Sequence, residues 1–489
     1  MRKSGILMHI SSLPNPYGIG SMGKCAYEYV DFLCQAGQSY WQILPLSPTG
    51  YGDSPYQSFS TFAGNHYLID LDWLIEAGWL KKEEAAICWG TDETRVDYGR
   101  LYENRIRLLR IAYERFPGGS EFDAFVQENA DWLEDYALFM TLKERYHGQP
   151  WQKWSLSLMM RIPEIMEGIR REFADQIRFR YFLQYVFFRQ WKALRSYANE
   201  KGIQIIGDVP IYVPLDSADV WANPQLFQLD GNCRPKKVAG CPPDSFSADG
   251  QLWGNPLYDW DRMKKEGYSW WIKRLKAAAN MYDVVRLDHF RGFESYWAIP
   301  AGDTTAAGGS WQPGPGMDFI LAIQKALPGL HFIAEDLGYV TPEVRSLQEN
   351  SGYPGMKVLQ FAFDSREAGD YLPHTYPKHS VCYSGTHDNL TLSQWLQEAA
   401  PEDVTMARDY LGLSEEEGLI RGLIRGCMGS VSELCVVQMQ DYLELGGEAR
   451  MNFPGTLSNA NWTWRAKPGF VTEELTERIR KTTELYGRI

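Results

Sequence analysis

Eight short apolar runs recur along the chain, each closing on a polar residue or a Gly- or Pro-containing turn. They span 5–10, 38–46, 203–209, 284–289, 331–336, 357–363, 381–386 and 434–439. Runs that are apolar on both faces suit strands covered by helices on both sides, which is how parallel sheets are built. The later runs are separated by segments with helical periodicity, 268–281, 318–326 and 341–350. Alternating β and α with eight strands predicts a closed (β/α)8 barrel, and an open doubly wound sheet is the alternative that the pattern leaves.

The chain has 489 residues, whereas a bare barrel of this kind needs about 250. Insertions must therefore supply about as much again. The interval 47–202, after the second run, is charged and largely of helical pattern (81–86, 102–116, 121–145 and 163–201), and it reads as a helical insertion. A Gly- and Pro-rich interval, 213–260, follows the third run and reads as a loop-rich insertion. No repeat, low-complexity tract or Ser- or Pro-rich linker divides the chain, so 1–489 reads as one interrupted catalytic domain.

The net charge of −13 argues against nucleic acid as a partner, because phosphate binding wants a basic face. No run of about 18 apolar residues predicts a membrane span. The short apolar stretch at the N-terminus is cut by His9 and the Ser11-Ser12-Leu13-Pro14 turn and reads as a first strand rather than a signal peptide. Eight scattered cysteines form no C-x-x-C pair, with Cys241 in a segment that reads as loop and Cys382 in one that reads as strand. They predict neither a metal site nor a disulfide framework, and they fit a reduced cytoplasm. The 18 Trp, 28 Tyr and 22 Phe mostly fill a large core, but indole and phenol faces also suit the C–H faces of pyranose rings.

Side chains alternate along a strand, so residues two apart share a face. On that rule Ile206 pairs with Asp208, Arg286 with Asp288, Ile333 with Glu335, and Thr386 with Asp388. Four apolar strands thus end in an acid near the C-terminal edge, where barrel active sites are built. One Asp at a strand end is usually a turn-former or helix cap. Four together, three of them beside His or Arg, are costly to bury unless paired or used. Retaining glycosidic chemistry needs such a set: an ionised carboxylate as nucleophile and a neutral carboxylic acid for the leaving oxygen. Arg286 favours the ionised form of Asp288, and crowding by neighbouring carboxylates favours a protonated Glu335, whose longer arm suits the acid role. Asp388 is placed to grip sugar hydroxyls. His289 and His387 flank two of the acids and read as hydrogen-bonding groups rather than metal ligands.

At these residues the sequence closely resembles the 4-α-glucanotransferase family, also called amylomaltase or disproportionating enzyme. The resemblance runs through Ser12-Leu-Pro-Asn-Pro-Tyr-Gly-Ile-Gly, Trp41-Gln-Ile-Leu-Pro-Leu-Ser-Pro-Thr-Gly-Tyr-Gly-Asp-Ser-Pro-Tyr-Gln and Gly207-Asp-Val-Pro-Ile-Tyr-Val. It continues through Gly240-Cys-Pro-Pro-Asp-Ser-Phe-Ser-Ala-Asp-Gly-Gln-Leu-Trp-Gly-Asn-Pro, Arg286-Leu-Asp-His-Phe-Arg-Gly-Phe, Ala334-Glu-Asp-Leu-Gly, Gly385-Thr-His-Asp-Asn and Arg450-Met-Asn-Phe-Pro-Gly-Thr. Such long runs in one order are far more specific than a lone short motif. The resemblance implies Asp288 as nucleophile, Glu335 as general acid/base and Asp388 as transition-state stabiliser. It implies sugar contacts from Asp208, Arg286, His289 and His387, a stacking role for Tyr56, acceptor-side contacts from Gln251 and Trp253, and a contact from Asn461. It also implies that 240–255 arches over the cleft, with Phe246 facing the glucan. The chain departs from the family pattern at Ser245, where many members have Tyr, and at His66, where Pro is usual.

The implied reaction is transfer of an α-1,4-glucan segment to the 4-hydroxyl of a second glucan or glucose, by two displacements with retention and without metal or cofactor. The expected partners are α-1,4-glucans and malto-oligosaccharides. Two rivals share parts of this reading. An amylase-like hydrolase would use the same acids and differ on the acceptor side. A non-catalytic glucan-binding protein would not need the complete acid set.

Overall fold

The computed structural model describes residues 2–50, 52–243, 249–364 and 371–489. In chain order its strands are β1 Lys3–Leu7, β2 Tyr40–Gln42, β3 Gln204–Val209, β4 Lys237–Cys241, β5 Gln251–Pro256, β6 Val284–Leu287, β7 Ser295–Pro300, β8 Ser310–Pro313, β9 His331–Ala334, β10 Gly355–Val358, β11 Ser380–Tyr383 and β12 Leu434–Gln438. Eight of them close a barrel in the order β1-β12-β11-β10-β9-β6-β3-β2, so the expected (β/α)8 barrel is the fold. Each apolar run contributes one barrel strand. The pairings are parallel, and the register sets Asp208 on β3 beside Arg286 on β6.

Local geometry trims the runs. The strand expected over 357–363 starts earlier, at Gly355, and gives way to a 3₁₀ turn at Leu359–Phe363. Asp336 causes the early start: its carboxylate accepts from the Met356 N–H at 2.7 Å. It also crowds position 355, where a Cβ would lie 2.5 Å from Asp336 Oδ2, so only glycine fits. The run expected over 381–386 stops as a strand at Tyr383, and the acid beyond it is placed by a turn.

Between β2 and β3 run eight helices, Leu71–Glu76, Lys82–Ala85, Tyr98–Arg115, Ser120–Glu128, Ala130–Arg145, Leu156–Met159, Pro163–Glu172 and Ala174–Glu200. Asp70 and Asp97 cap two of them by accepting from the Trp73 and Arg100 N–H groups. The expected helix over 121–145 is broken at Asn129, whose amide folds back on the Phe125 carbonyl at 2.8 Å. Leu108, Phe139 and Phe187 of this region lie in the same continuous apolar core as Ile6, Trp41 and Ile205 of the barrel.

Sequence reasoning missed a second sheet, of order β5-β4-β7-β8, all antiparallel. Two of its strands fall inside the interval read as loop-rich, and Cys241, read as loop, ends β4. Glycine and proline disguised them. Gly240 sits where a Cβ would come within 2.1 Å of the Gln251 carbonyl oxygen, so the close strand approach demands glycine.

Candidate active site

At the C-terminal rim of β3 and β6, one guanidinium joins two carboxylates. Arg286 Nη1 lies 2.7 Å from Asp208 Oδ2 and 2.9 Å from Asp288 Oδ1. The first contact crosses between register partners on adjacent strands, and the second links residues two apart at the end of one strand. Burial works against the charge on Arg286, but Asp208 and Asp288 outweigh it and hold the group well above its ordinary range. Burial pushes Asp208 up, against the pull of Arg286. Its Oδ1 is buried and has no hydrogen-bond partner among the described residues. The Asp288 side chain is 28% exposed, against 1% for Asp208, so Asp288 is the more open of the two.

Tyr56 closes this cluster from the segment after β2. Its hydroxyl donates to Asp208 Oδ2 at 2.7 Å, and its ring stacks on His387 at 4.9 Å between centroids. Trp462 packs at 5.8 Å from Tyr56 and 5.9 Å from His387. The half-buried tyrosine is therefore held flat by His387 and anchored at its tip.

Glu335 follows β9 directly and is 9% exposed. Its Oε2 accepts from the His289 N–H at 2.7 Å and its Oε1 from the Leu337 N–H at 2.9 Å. Both bonds favour the carboxylate, as does Arg286, yet the proton affinity of Glu335 is pushed up to about 7. Burial is the largest cause, and the Asp288 charge adds to it. The crowding expected from the sequence is present but secondary to desolvation. His289 presents its N–H from a left-handed backbone, φ 52°, a conformation that is uncommon for a residue with a side chain. Burial lowers its imidazole to about 4, so the ring is neutral near pH 7.

Asp388 reaches the site by a different route from the one its spacing suggests. β11 ends at Tyr383, so strand alternation does not orient it. Instead a turn does: Asn389 Oδ1 accepts from both the N–H and the hydroxyl of Thr386, and the Asp388 N–H donates to Thr386 Oγ1. Its side chain is 45% exposed and its Oδ2 lies 3.3 Å from His387 Nε2. Asn452 Nδ2 donates to Asp388 Oδ1 at 2.6 Å, and Arg450 Nη2 donates to the Asp388 carbonyl at 2.8 Å. Asn452 and Arg450 belong to a quoted motif, but nothing in their local sequence tied them to an acid 62–64 residues earlier. His9, read from the sequence only as the end of the first apolar run, is buried and accepts from the Leu44 N–H through Nδ1. Burial, then His387, lowers it to about 3.

Gln251 and Trp253 share one face of β5, joined by a Trp253 Nε1 to Gln251 Oε1 bond of 3.1 Å. The indole meets the His289 ring edge-on at 4.8 Å, which brings this pair to the Glu335 side of the cluster. Asn461 spends its amide inside its own loop, accepting from the Phe453 N–H and donating to the Thr456 carbonyl, so it braces the chain beside Asn452. Phe246 and Ser245 lie outside the described residues. His66 is buried, its Nε2 has no partner among the described residues, and burial lowers it to about 3. Among the described residues no group of three or more His, Cys, Asp or Glu is placed to hold a metal ion. No helix of these residues is long and apolar enough to cross a membrane.

Comparison with known proteins places this geometry in one family. A profile described as 4-alpha-glucanotransferase matches residues 8–472. The chain is 47% identical over 486 residues to the 4-alpha-glucanotransferase of Clostridium butyricum, covering 98% of this chain and 100% of that one. It is 48% identical over 501 residues to the enzyme of Thermus thermophilus, covering 100% and 99%. Its fold superposes on an amylomaltase from Streptococcus agalactiae, solved in complex with acarbose, with a TM-score of 0.97 at 41% identity and full coverage of both chains. With a profile matched over nearly its whole length, close full-length relatives and four acids on one barrel rim, the chain belongs to the 4-alpha-glucanotransferase family.

Proposed function

We propose that three carboxylates divide the transfer of an α-1,4-glucan segment among them, with Asp288 as nucleophile, Glu335 as general acid and base, and Asp388 as a brace for the transition state. One observation carries the assignment: a buried Glu335 raised to about 7 stands beside a more exposed Asp288 that is paired with Arg286. Two carboxylates in such unlike environments divide into a proton donor and a charged nucleophile. Asp288 attacks the anomeric carbon of the donor glucan while Glu335 gives its proton to the departing 4-oxygen. The resulting glycosyl ester is opened by the 4-hydroxyl of an acceptor, whose proton passes to Glu335, and two inversions leave the α configuration unchanged. Asp388, held by Asn452, and Asp208, with an unpartnered oxygen, take hydroxyls of the sugar at the scission point. Tyr56 offers its ring face to the same sugar.

Transfer requires that a sugar outcompete water for the ester, which a preformed acceptor site achieves by orientation. Gln251, Trp253 and the neutral ring of His289 supply that site in this reading. Eight scattered cysteines that form no C-x-x-C pair support a cytoplasmic location for the enzyme in this reading.

Incubation with maltotriose followed by product sizing tests the reading. Glucose together with a ladder of longer oligosaccharides is the expected result. Shorter products alone would make the chain a hydrolase, and no turnover would make it a binding protein. Asp288→Asn should abolish the ladder while leaving the melting temperature near that of the wild type. A variant free of deamidation that still disproportionates maltotriose would remove Asp288 from the mechanism.

A further inference from the structure

We infer that a groove on the far side of the segment carrying Trp462 is a second, non-catalytic binding site for α-1,4-glucan chains. The groove has a volume of about 860 Å³ and is built from 14–18, the helix Lys24–Gln35, 87–93 and 465–471. Its apolar lining is the partly exposed Ile87, Phe470 and Val471, with Tyr29 and Trp89 buried behind them. Arg465 lines it at 5% exposure. Among the described residues this guanidinium makes one hydrogen bond, from Nη2 to the Asn15 carbonyl at 2.6 Å, and its Nε has no partner. Burial lowers Arg465 to about 10, against the weaker pull of Cys25, Glu93 and Asp92. A buried cation with spare donors is costly to keep unless a ligand uses them.

Charge selects the ligand class. Glu28, Asp92 and Glu93 also line the groove, so an anion drawn to Arg465 would meet carboxylates. A cation would meet Arg465. A neutral polyol satisfies both signs, because its hydroxyls accept from the guanidinium and donate to the acids, while a C–H face covers the partly exposed Phe470. The volume lies toward the top of the range of about 300–1,000 Å³ for small-molecule sites, which suits an oligosaccharide better than one sugar ring.

Connectivity gives the site its use. Trp462 packs on the Tyr56–His387 stack, and Arg465, three residues on, faces the groove, fixed by an Ala466 N–H to Ser12 carbonyl bond of 2.8 Å. A chain held here lies against the segment whose Trp462 packs on the cleft stack, so in this proposal the groove raises the effective concentration of long glucans. The ligand class rests on the glucan-transfer reading.

Cys88 lines the groove and is exposed; Cys34, equally exposed, does not line it and serves as a control. In the D288N enzyme, maltoheptaose should slow N-ethylmaleimide labelling of Cys88 several-fold and leave Cys34 unchanged, and R465M should abolish the protection. In a C34S enzyme with otherwise native sequence, a bulky maleimide on Cys88 should raise KM for amylose by about threefold or more while maltotriose disproportionation keeps its rate. Unprotected Cys88, equal protection by sorbitol, or a conjugate that changes neither substrate or both alike would overturn the proposal. Failure of maltotriose turnover in the unmodified wild type would instead refute the catalytic reading, and the labelling result would still report on the groove.

Discussion

Glu335 shows at the residue scale how a site can cost the fold. Its folded pKa of about 7 lies above the ordinary 4.5, so the folded chain holds this proton more tightly than the unfolded one. Below about 4.5 both states are protonated and the group is neutral to stability. Stability then falls as pH rises from about 4.5 to 7, and above that the full cost, on the order of 3 kcal/mol, applies. Glu335→Gln should therefore melt higher than the wild type at pH 8 and near it at pH 4.5, although it is inactive. Calorimetry at the two pH values decides this, and equal shifts at both would show that desolvation of the charge is not the cause. Arg286 acts on the same proton in the opposite direction. Arg286→Met should lower kcat by about 100-fold and move the basic limb of the rate profile to higher pH. A limb that stays in place would break the link between Arg286 and Glu335.

Asn452 is the residue that no local pattern could reveal, because its role exists only after a turn and a distant loop meet. Asn452→Ala removes a charge-assisted bond of 2.6 Å from Asp388, and kcat should fall by about 10- to 100-fold with KM less affected. Asn452→Asp sets a second carboxylate there and should be worse than alanine. If KM rises while kcat holds, Asn452 serves ground-state binding and Asp388 is positioned by other contacts.

Elements were legible where the physics is local. Barrel strands such as β6 and β12 announce themselves because both faces are buried, which makes a run rich in Val and Leu with little polar alternation. Asp208, Asp288 and Glu335 were legible because they stand in or directly after such runs. Asp388 was found by the same rule for the wrong reason, since its strand ends at Tyr383 and the Thr386–Asn389 turn does the aiming. β4 and β5 were illegible because Gly240, Gly254 and Pro256 read as loop when the partner strand is unseen. The loop that carries His387 and Asp388 has its own clamp. Asp441 accepts from Ser384 Oγ at 2.6 Å and from the Leu392 N–H at 2.7 Å, gripping the loop at both ends. Asp441→Ala should reduce kcat and lower the melting temperature together, since each buried donor left unsatisfied costs about 1–3 kcal/mol. A variant with lower melting temperature and unchanged kcat would show that the loop keeps its shape without the clamp.

For the whole molecule, the question is whether the helices between β2 and β3 form an independent body or a wall of the barrel. The long helix Ala174–Glu200 argues for the wall. Trp191 Nε1 donates to the Met281 carbonyl at 3.0 Å, just before β6. Arg195 donates to the Ala279, Asn280 and Tyr282 carbonyls and pairs with Asp283 at 2.6 Å. Asp283 immediately precedes β6, the strand that carries Arg286, so this one side chain bolts the inserted helix to the strand beneath the acids. Arg195→Ala leaves several carbonyls without their donor and Asp283 without its cation, a loss of about 2–4 kcal/mol. If the helices and barrel form one cooperative unit, that loss should lower a single melting transition, with tryptophan fluorescence and far-ultraviolet circular dichroism still coincident. Asp288 should also lose some of its precision, so kcat should fall modestly before any unfolding is detected. A melt that splits into two transitions in the variant, with transferase activity lost only in the second, would show that the helices unfold as their own domain and that the barrel holds its acids without them.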